Sequence, residues 1–113
     1  MKDKYRLGKV IYNPQSKQLD FSGHHSTQLN SCENCVLQLL IDNPFTLITA
    51  KEIYRRCFIY FMWRRNSIHQ IIKQLSRKLA DANYIDSPID DCYQFNFTAI
   101  KVVTKNNTQA TVE

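Results

Sequence analysis

The sequence predicts a small α+β domain in which short antiparallel strands open the chain, three amphipathic helices follow and a β-hairpin closes it. Three observations carry this expectation. Strand-like stretches broken by turn signals fill roughly the first thirty residues, apolar residues then recur at helical spacing, and alternation returns around "YIDSPIDDCYQF". With 113 residues, 43% hydrophobic and 22% charged, the chain can bury one modest core. One domain is therefore expected over residues 1–104, with a flexible polar tail over 105–113.

The first strand is "YRLGKVIY", with aromatic and branched residues and a Gly8 that breaks the alternation as a bulge would. "NPQS" turns the chain, "KQLDF" sets Leu19 and Phe21 on one face, "SG" turns again and "HHSTQL" returns as a third strand. An antiparallel meander results. Asn30 followed three residues later by Glu33 is a capping-box start, and Val36, Leu37, Leu40 and Ile41 form the apolar stripe of a first helix that stops at "DNP". "TLIT" serves as a small linking strand. Thr49 with Glu52 repeats the capping device for a short second helix whose Ile53 and Cys57 face inward. After the aromatic stretch "IYFMWRR", Asn66 is placed to cap a third helix.

That third helix, "NSIHQIIKQLSRKL", is unusual in its outer face. Ile68, Ile71, Ile72, Leu75 and Leu79 fall within an arc of roughly 100°, the width of a core-facing stripe. The opposite arc holds His69, Gln70, Lys73, Gln74, Ser76 and Arg77, with no carboxylate among them. The charge pattern of the whole chain is centred on the same region. Formal net charge is +5, yet seven Lys and Arg (Arg55, Arg56, Arg64, Arg65, Lys73, Arg77, Lys78) lie between Glu52 and Asp81 without one acid, so the remainder is slightly acidic. A phosphate-lined groove repels carboxylates and rewards Lys and Arg through counterion release, while Gln, His and Arg can pair with base edges. Lys78 lies at the flank of this face, where a phosphate contact is the most it could make. Two capped helices, a basic helix and a hairpin form the succession of a helix-turn-helix with a wing, so sequence-specific binding of double-stranded DNA is expected, with residues 66–80 in the major groove.

The residues resemble the OmpR/ToxR type of winged-helix DNA-binding domain found in bacterial transcription regulators. The resemblance is carried by "LNSCENCVLQLL" for the first helix, "LITAKEIYRRCF" for the second, "IIKQLSRKL" for the recognition helix and "YIDSPIDDCYQF" for the wing. It implies an N-terminal four-stranded sheet, three helices and a wing hairpin. It also implies that His69, Gln70, Lys73, Gln74 and Arg77 approach bases or nearby phosphates, and that Thr49, Lys51, Arg64, Arg65 and Asn66 meet the DNA backbone. By the same resemblance, the 58–65 loop, with Tyr60, Phe61, Met62 and Trp63, contacts RNA polymerase or a partner regulator, and the domain pairs as a homodimer on DNA. Because no receiver domain precedes the chain, the ToxR-like branch is favoured: a cytoplasmic domain whose full-length protein sits in the bacterial inner membrane through a segment outside this chain. Departures from the pattern are Ser76 where the family has Arg, Cys92 where it has the wing glycine, and the acids Asp86, Asp90 and Asp91 in the wing. These leave an alternative, a winged-helix interaction module with weak or no DNA binding.

Other chemistries find less support. The N-terminus "MKDKYRLGK" has no apolar run behind it, and the longest apolar run, "CFIYFMW", is too short to span a bilayer. Four cysteines in a chain without an export signal are expected as reduced thiols. "SCENC" has the C-x-x-C spacing of redox and zinc sites, but no second such pair accompanies Cys32 and Cys35, and His24, His25, Cys57 and Cys92 show no ligand spacing. Asp90 and Asp91 are adjacent and so point to opposite faces of a strand. No metal, cofactor or enzymatic activity is expected.

Overall fold

In a computed structural model, the described residues are 4–21, 25–57, 65–80 and 83–102. Four strands open the chain: β1 (Lys4–Leu7), β2 (Val10–Asn13), β3 (Gln18–Phe21) and β4 (His25–Gln28). Three helices follow, α1 (Ser31–Asp42), α2 (Ala50–Cys57) and α3 (Arg65–Lys78), with the two-residue strand β5 (Ile48–Thr49) between the first two. The chain continues through β6 (Ile85–Asp86), β7 (Cys92–Phe95) and β8 (Ile100–Val102). The strands form a five-stranded antiparallel sheet in the order β4-β3-β2-β1-β8 and a three-stranded sheet in the order β5-β7-β6. The α+β class, the three helices, the "TLIT" strand and the closing hairpin are as the sequence predicts.

The opening meander differs in one respect. "YRLGKVIY" is two strands, because Leu7 pairs with Val10 and leaves Gly8 and Lys9 as a two-residue hairpin loop. Gly8 has φ +63°, the left-handed region that hairpin turns with glycine at their first central position require. A side chain there would also collide with Tyr84, whose hydroxyl oxygen would lie 2.7 Å from an added Cβ. The Tyr84 hydroxyl donates to the Leu7 carbonyl and so ties the segment before β6 to this turn. A further difference is β8, which returns the chain to pair with β1 and completes the five-stranded sheet.

Alternation sets the inner face of that sheet: Leu7, Val10, Tyr12 and Leu19 are buried. The sheet rests on the start of α1, where the Tyr12 hydroxyl donates to Asn34 Oδ1 at 2.5 Å. Helix α1 begins with the expected capping box, Asn30 Oδ1 accepting from the Glu33 N–H and Glu33 Oε1 accepting from the Asn30 N–H. Its stripe Val36, Leu37, Leu40 and Ile41 is buried against the other helices, each of the three contacting the other two. Thr49 Oγ1 accepts from the Glu52 N–H and caps α2, but the Glu52 carboxylate turns to Arg55 and Arg56 rather than back to the cap. Helix α3 is already helical at Arg65, so Asn66 lies inside it and is not its cap. Helix α3 ends at Lys78, and Ala80, in the turn that follows, is a non-glycine residue at φ +63°.

The cysteines require a correction. Cys35 and Cys57 are joined as a disulfide, with Cα atoms 5.8 Å apart, while Cys32 and Cys92 are free. The physical reason is packing: α1 lies against α2, which sets Cys35 beside the last residue of α2. Cys32 and Cys35 therefore do not act as a pair, and no cluster of potential metal ligands occurs among the described residues. No helix of the described residues is long and apolar enough to cross a membrane.

Candidate nucleic-acid interface

The third helix is held by its apolar stripe. Ile68, Ile72, Leu75 and Leu79 are at most 6% exposed, with Ile71 at the stripe's edge. Burial of these positions leaves His69, Gln70, Lys73, Gln74 and Arg77 exposed on the opposite side. His69, Lys73 and Arg77 follow one another at four-residue intervals and so stack along a single line of the surface. Neither Lys73 nor Arg77 has an ion-pair or hydrogen-bond partner among the described residues. In contrast, the exposed arginines of α2 are engaged, Arg55 at 3.2 Å and Arg56 at 2.9 Å from the Glu52 carboxylate. Lys73 and Arg77 on α3 thus carry positive charge that no described carboxylate compensates.

Thr49 and Lys51 are exposed at the N-terminal end of α2, Thr49 as its cap. Arg65 and Asn66 belong to the first turn of α3, but their side chains lie outside the description, as do Arg64 and the whole of Tyr60, Phe61, Met62 and Trp63. The expected protein contact through Tyr60, Phe61, Met62 and Trp63 lies outside the described residues.

Lys78 does not do what its sequence position implies. Its ammonium group lies 2.7 Å from Glu33 Oε1 and donates to the Gln28 carbonyl at 3.1 Å. The Glu33 side chain is 1% exposed, and its Oε2 has no partner among the described residues. A buried carboxylate needs a counter-charge, and Lys78 supplies it from the last turn of α3. The residue fastens α3 to α1 instead of reaching for phosphate. Ser76, in the place of the family's arginine, is half-buried.

His69 is engaged as well as exposed. Its Nδ1 lies 2.5 Å from the hydroxyl of Tyr93, which is 1% exposed on β7. Helix α3 and strand β7 are thereby linked side chain to side chain. Burial, first, and then the neighbouring Asp91 and Cys92 push the Tyr93 phenol above its usual pKa, so it stays neutral. No signal in the sequence pointed to this pair.

The wing is the hairpin of β6 and β7. Its turn is closed by Ser87 Oγ, which donates to the carbonyls of Ile89 and Cys92, and by the Cys92 N–H, which donates to Ile89. The left-handed residue is Asp91, at φ +64°, whereas Cys92 is an ordinary extended residue of β7. Absence of glycine at position 92 thus carries no backbone penalty. Asp86 and Asp90 are exposed, Asp91 is half-buried and Ile89 is 55% exposed at the tip. No Lys or Arg occurs between Lys78 and Lys101, so the wing has no cation of its own to offer a polyanion.

No protein-family model and no curated protein matches the sequence. Solved structures do match. The DNA-binding domain of Escherichia coli CadC is similar over 86% of this chain and 94% of its own, at 17% identity and a TM-score of 0.77. The DNA-binding domain of Klebsiella pneumoniae RstA, in complex with the RstA box, matches 82% of this chain and 96% of its own at 16% identity and a TM-score of 0.68. The Thermotoga maritima response regulator DrrB, an OmpR/PhoB homolog, matches 82% of this chain and 44% of its own at 18% identity and a TM-score of 0.71. The chain has the winged-helix fold of these OmpR/PhoB-type DNA-binding domains.

Proposed function

We propose that this chain is the DNA-binding domain of a bacterial transcription regulator, with α3 as the element that enters the major groove. The observation that carries this reading is the outer face of α3, where five exposed polar side chains include two unpaired cations and no acid. RstA, of the same fold, was solved with its DNA box, which supports the duplex as partner. Thr49 and Lys51 stand at the N-terminal end of α2, where backbone contacts would stabilise the docked helix. With an acidic wing, affinity rests on α3 and is modest for one domain, so a homodimer on DNA supplies the rest. Full-length protein would be tethered in the inner membrane, as in ToxR-like regulators, and the 58–65 loop would meet RNA polymerase or a partner regulator.

The test is a salt titration of duplex binding. Log affinity should fall linearly with log salt concentration, and Lys73→Ala or Arg77→Ala should each flatten the slope by about 0.9, one phosphate's worth. Affinity indifferent to salt, or to both substitutions, overturns the reading and favours the interaction module.

A further inference from the structure

The bond between His69 and Tyr93 determines more than the angle between helix and wing. A neutral imidazole has one protonated nitrogen and one bare nitrogen, and its partner decides which is which. Here the partner of Nδ1 is a phenol, 2.5 Å away. A phenol O–H is a far better donor than a neutral imidazole N–H, and the bare nitrogen of an imidazole is a far better acceptor than a phenol oxygen. Tyr93 therefore donates and Nδ1 accepts. The proton of the ring sits on Nε2.

Three features keep that arrangement in place. Tyr93 is buried and anchored in the three-stranded sheet, where it pairs with Ile48 across β5 and β7. Its neutral form persists well into alkaline solution because of burial and the adjacent Asp91. The two rings also lie against each other, with centroids 5.9 Å apart and planes at 49°. His69 itself is exposed on the line it shares with Lys73 and Arg77, and its Nε2 has no partner among the described residues.

We propose that Tyr93 acts as a positioning residue that holds His69 as a single outward hydrogen-bond donor, so that His69 selects an acceptor edge in the major groove, guanine N7 with its neighbouring O6. Guanine presents two adjacent acceptors there, while adenine places an amino donor beside its N7 and cytosine presents only a donor. A histidine in the opposite tautomer would reverse the preference and seek the amino groups of adenine or cytosine. The inference rests on the DNA-binding reading above and adds to it the chemistry of one contacted base.

Two measurements test it. In the free protein labelled with 15N-histidine, long-range proton–nitrogen correlation spectra at neutral pH should show His69 protonated on Nε2 and bare on Nδ1. A proton on Nδ1 overturns the proposal without touching the DNA-binding reading. For binding, a duplex is selected from a randomised pool by the wild-type protein, and its guanines are replaced one at a time by 7-deazaguanine. At one position this should weaken wild-type binding roughly five- to tenfold, the worth of one hydrogen bond, and leave His69→Ala unaffected. Tyr93→Phe should lose most of that discrimination while retaining its fold and the wild-type salt slope, which a merely structural role for the hydroxyl would not separate. Binding with no deaza-sensitive position coupled to His69 overturns this proposal alone. Failure to select any duplex overturns both readings.

Discussion

Lys78 gives the sharpest test of how α3 is held. Replacing it by Met keeps the aliphatic stem, which covers apolar surface, and removes only the ammonium group. Among the described residues, Glu33 is then left with a 1% exposed carboxylate whose sole donor is the Asn30 N–H, 2.9 Å from Oε1, and whose Oε2 is already without a partner. Breaking a buried ion pair by removing one partner costs about 3–5 kcal/mol, but Lys78 is 32% exposed, so water can reach its former place. Discounted for that access, the expected loss falls just below this range, at about 2–3 kcal/mol. For a domain of this size that lowers Tm by roughly 10–15 °C. Adding Glu33→Gln should restore at least half, since glutamine keeps the acceptor of the capping box and removes the stranded charge. Thermal and urea unfolding of the two single variants and the double variant measure the cycle. A Lys78→Met loss below about 0.5 kcal/mol, or a double variant no more stable than Lys78→Met, refutes the argument. The same variant separates structure from recognition, because its DNA-binding salt slope should match the wild type's.

Two further outcomes follow from the backbone and the buried phenols. Gly8→Ala should destabilise by about 1–3 kcal/mol, through the left-handed φ and the clash with Tyr84, whereas Ala80→Gly, at the same φ where α3 ends, should stabilise by about 0.5–1 kcal/mol; chemical denaturation reads both signs. Tyr12 and Tyr93 have phenols raised above the usual pKa mainly by burial, so the folded state favours their neutral form. Their contribution to stability is therefore complete below about pH 10, where unfolded tyrosine ionises, and is lost as pH rises beyond it. Absorbance of ionised tyrosine against pH, followed with circular dichroism, should show these two of the six tyrosines titrating only as structure is lost.

What the sequence determined by itself are the features set by neighbours within one helical turn. The Asn30–Glu33 box, the Thr49 cap, the stripe from Ile68 to Leu79 and the acid-free face opposite it depend on residues three or four apart, so periodicity exposes them. The order of capped helices and hairpin followed from the same local signals. Tertiary structure alone decided the rest. Gly8 reads as a bulge until the register of Leu7 with Val10 makes it a turn, and β8 joins β1 from the far end of the chain. The bond from Tyr84 to Leu7 spans 77 positions, that of Lys78 to Glu33 spans 45, that of His69 to Tyr93 spans 24 and the Cys35–Cys57 link spans 22. Such contacts leave no periodic trace, because which residues meet depends on how the helices and sheets dock. Lys78 thus carries the same charge as Lys73 and lies on the same helix, yet docking set one against a buried carboxylate and left the other facing solvent.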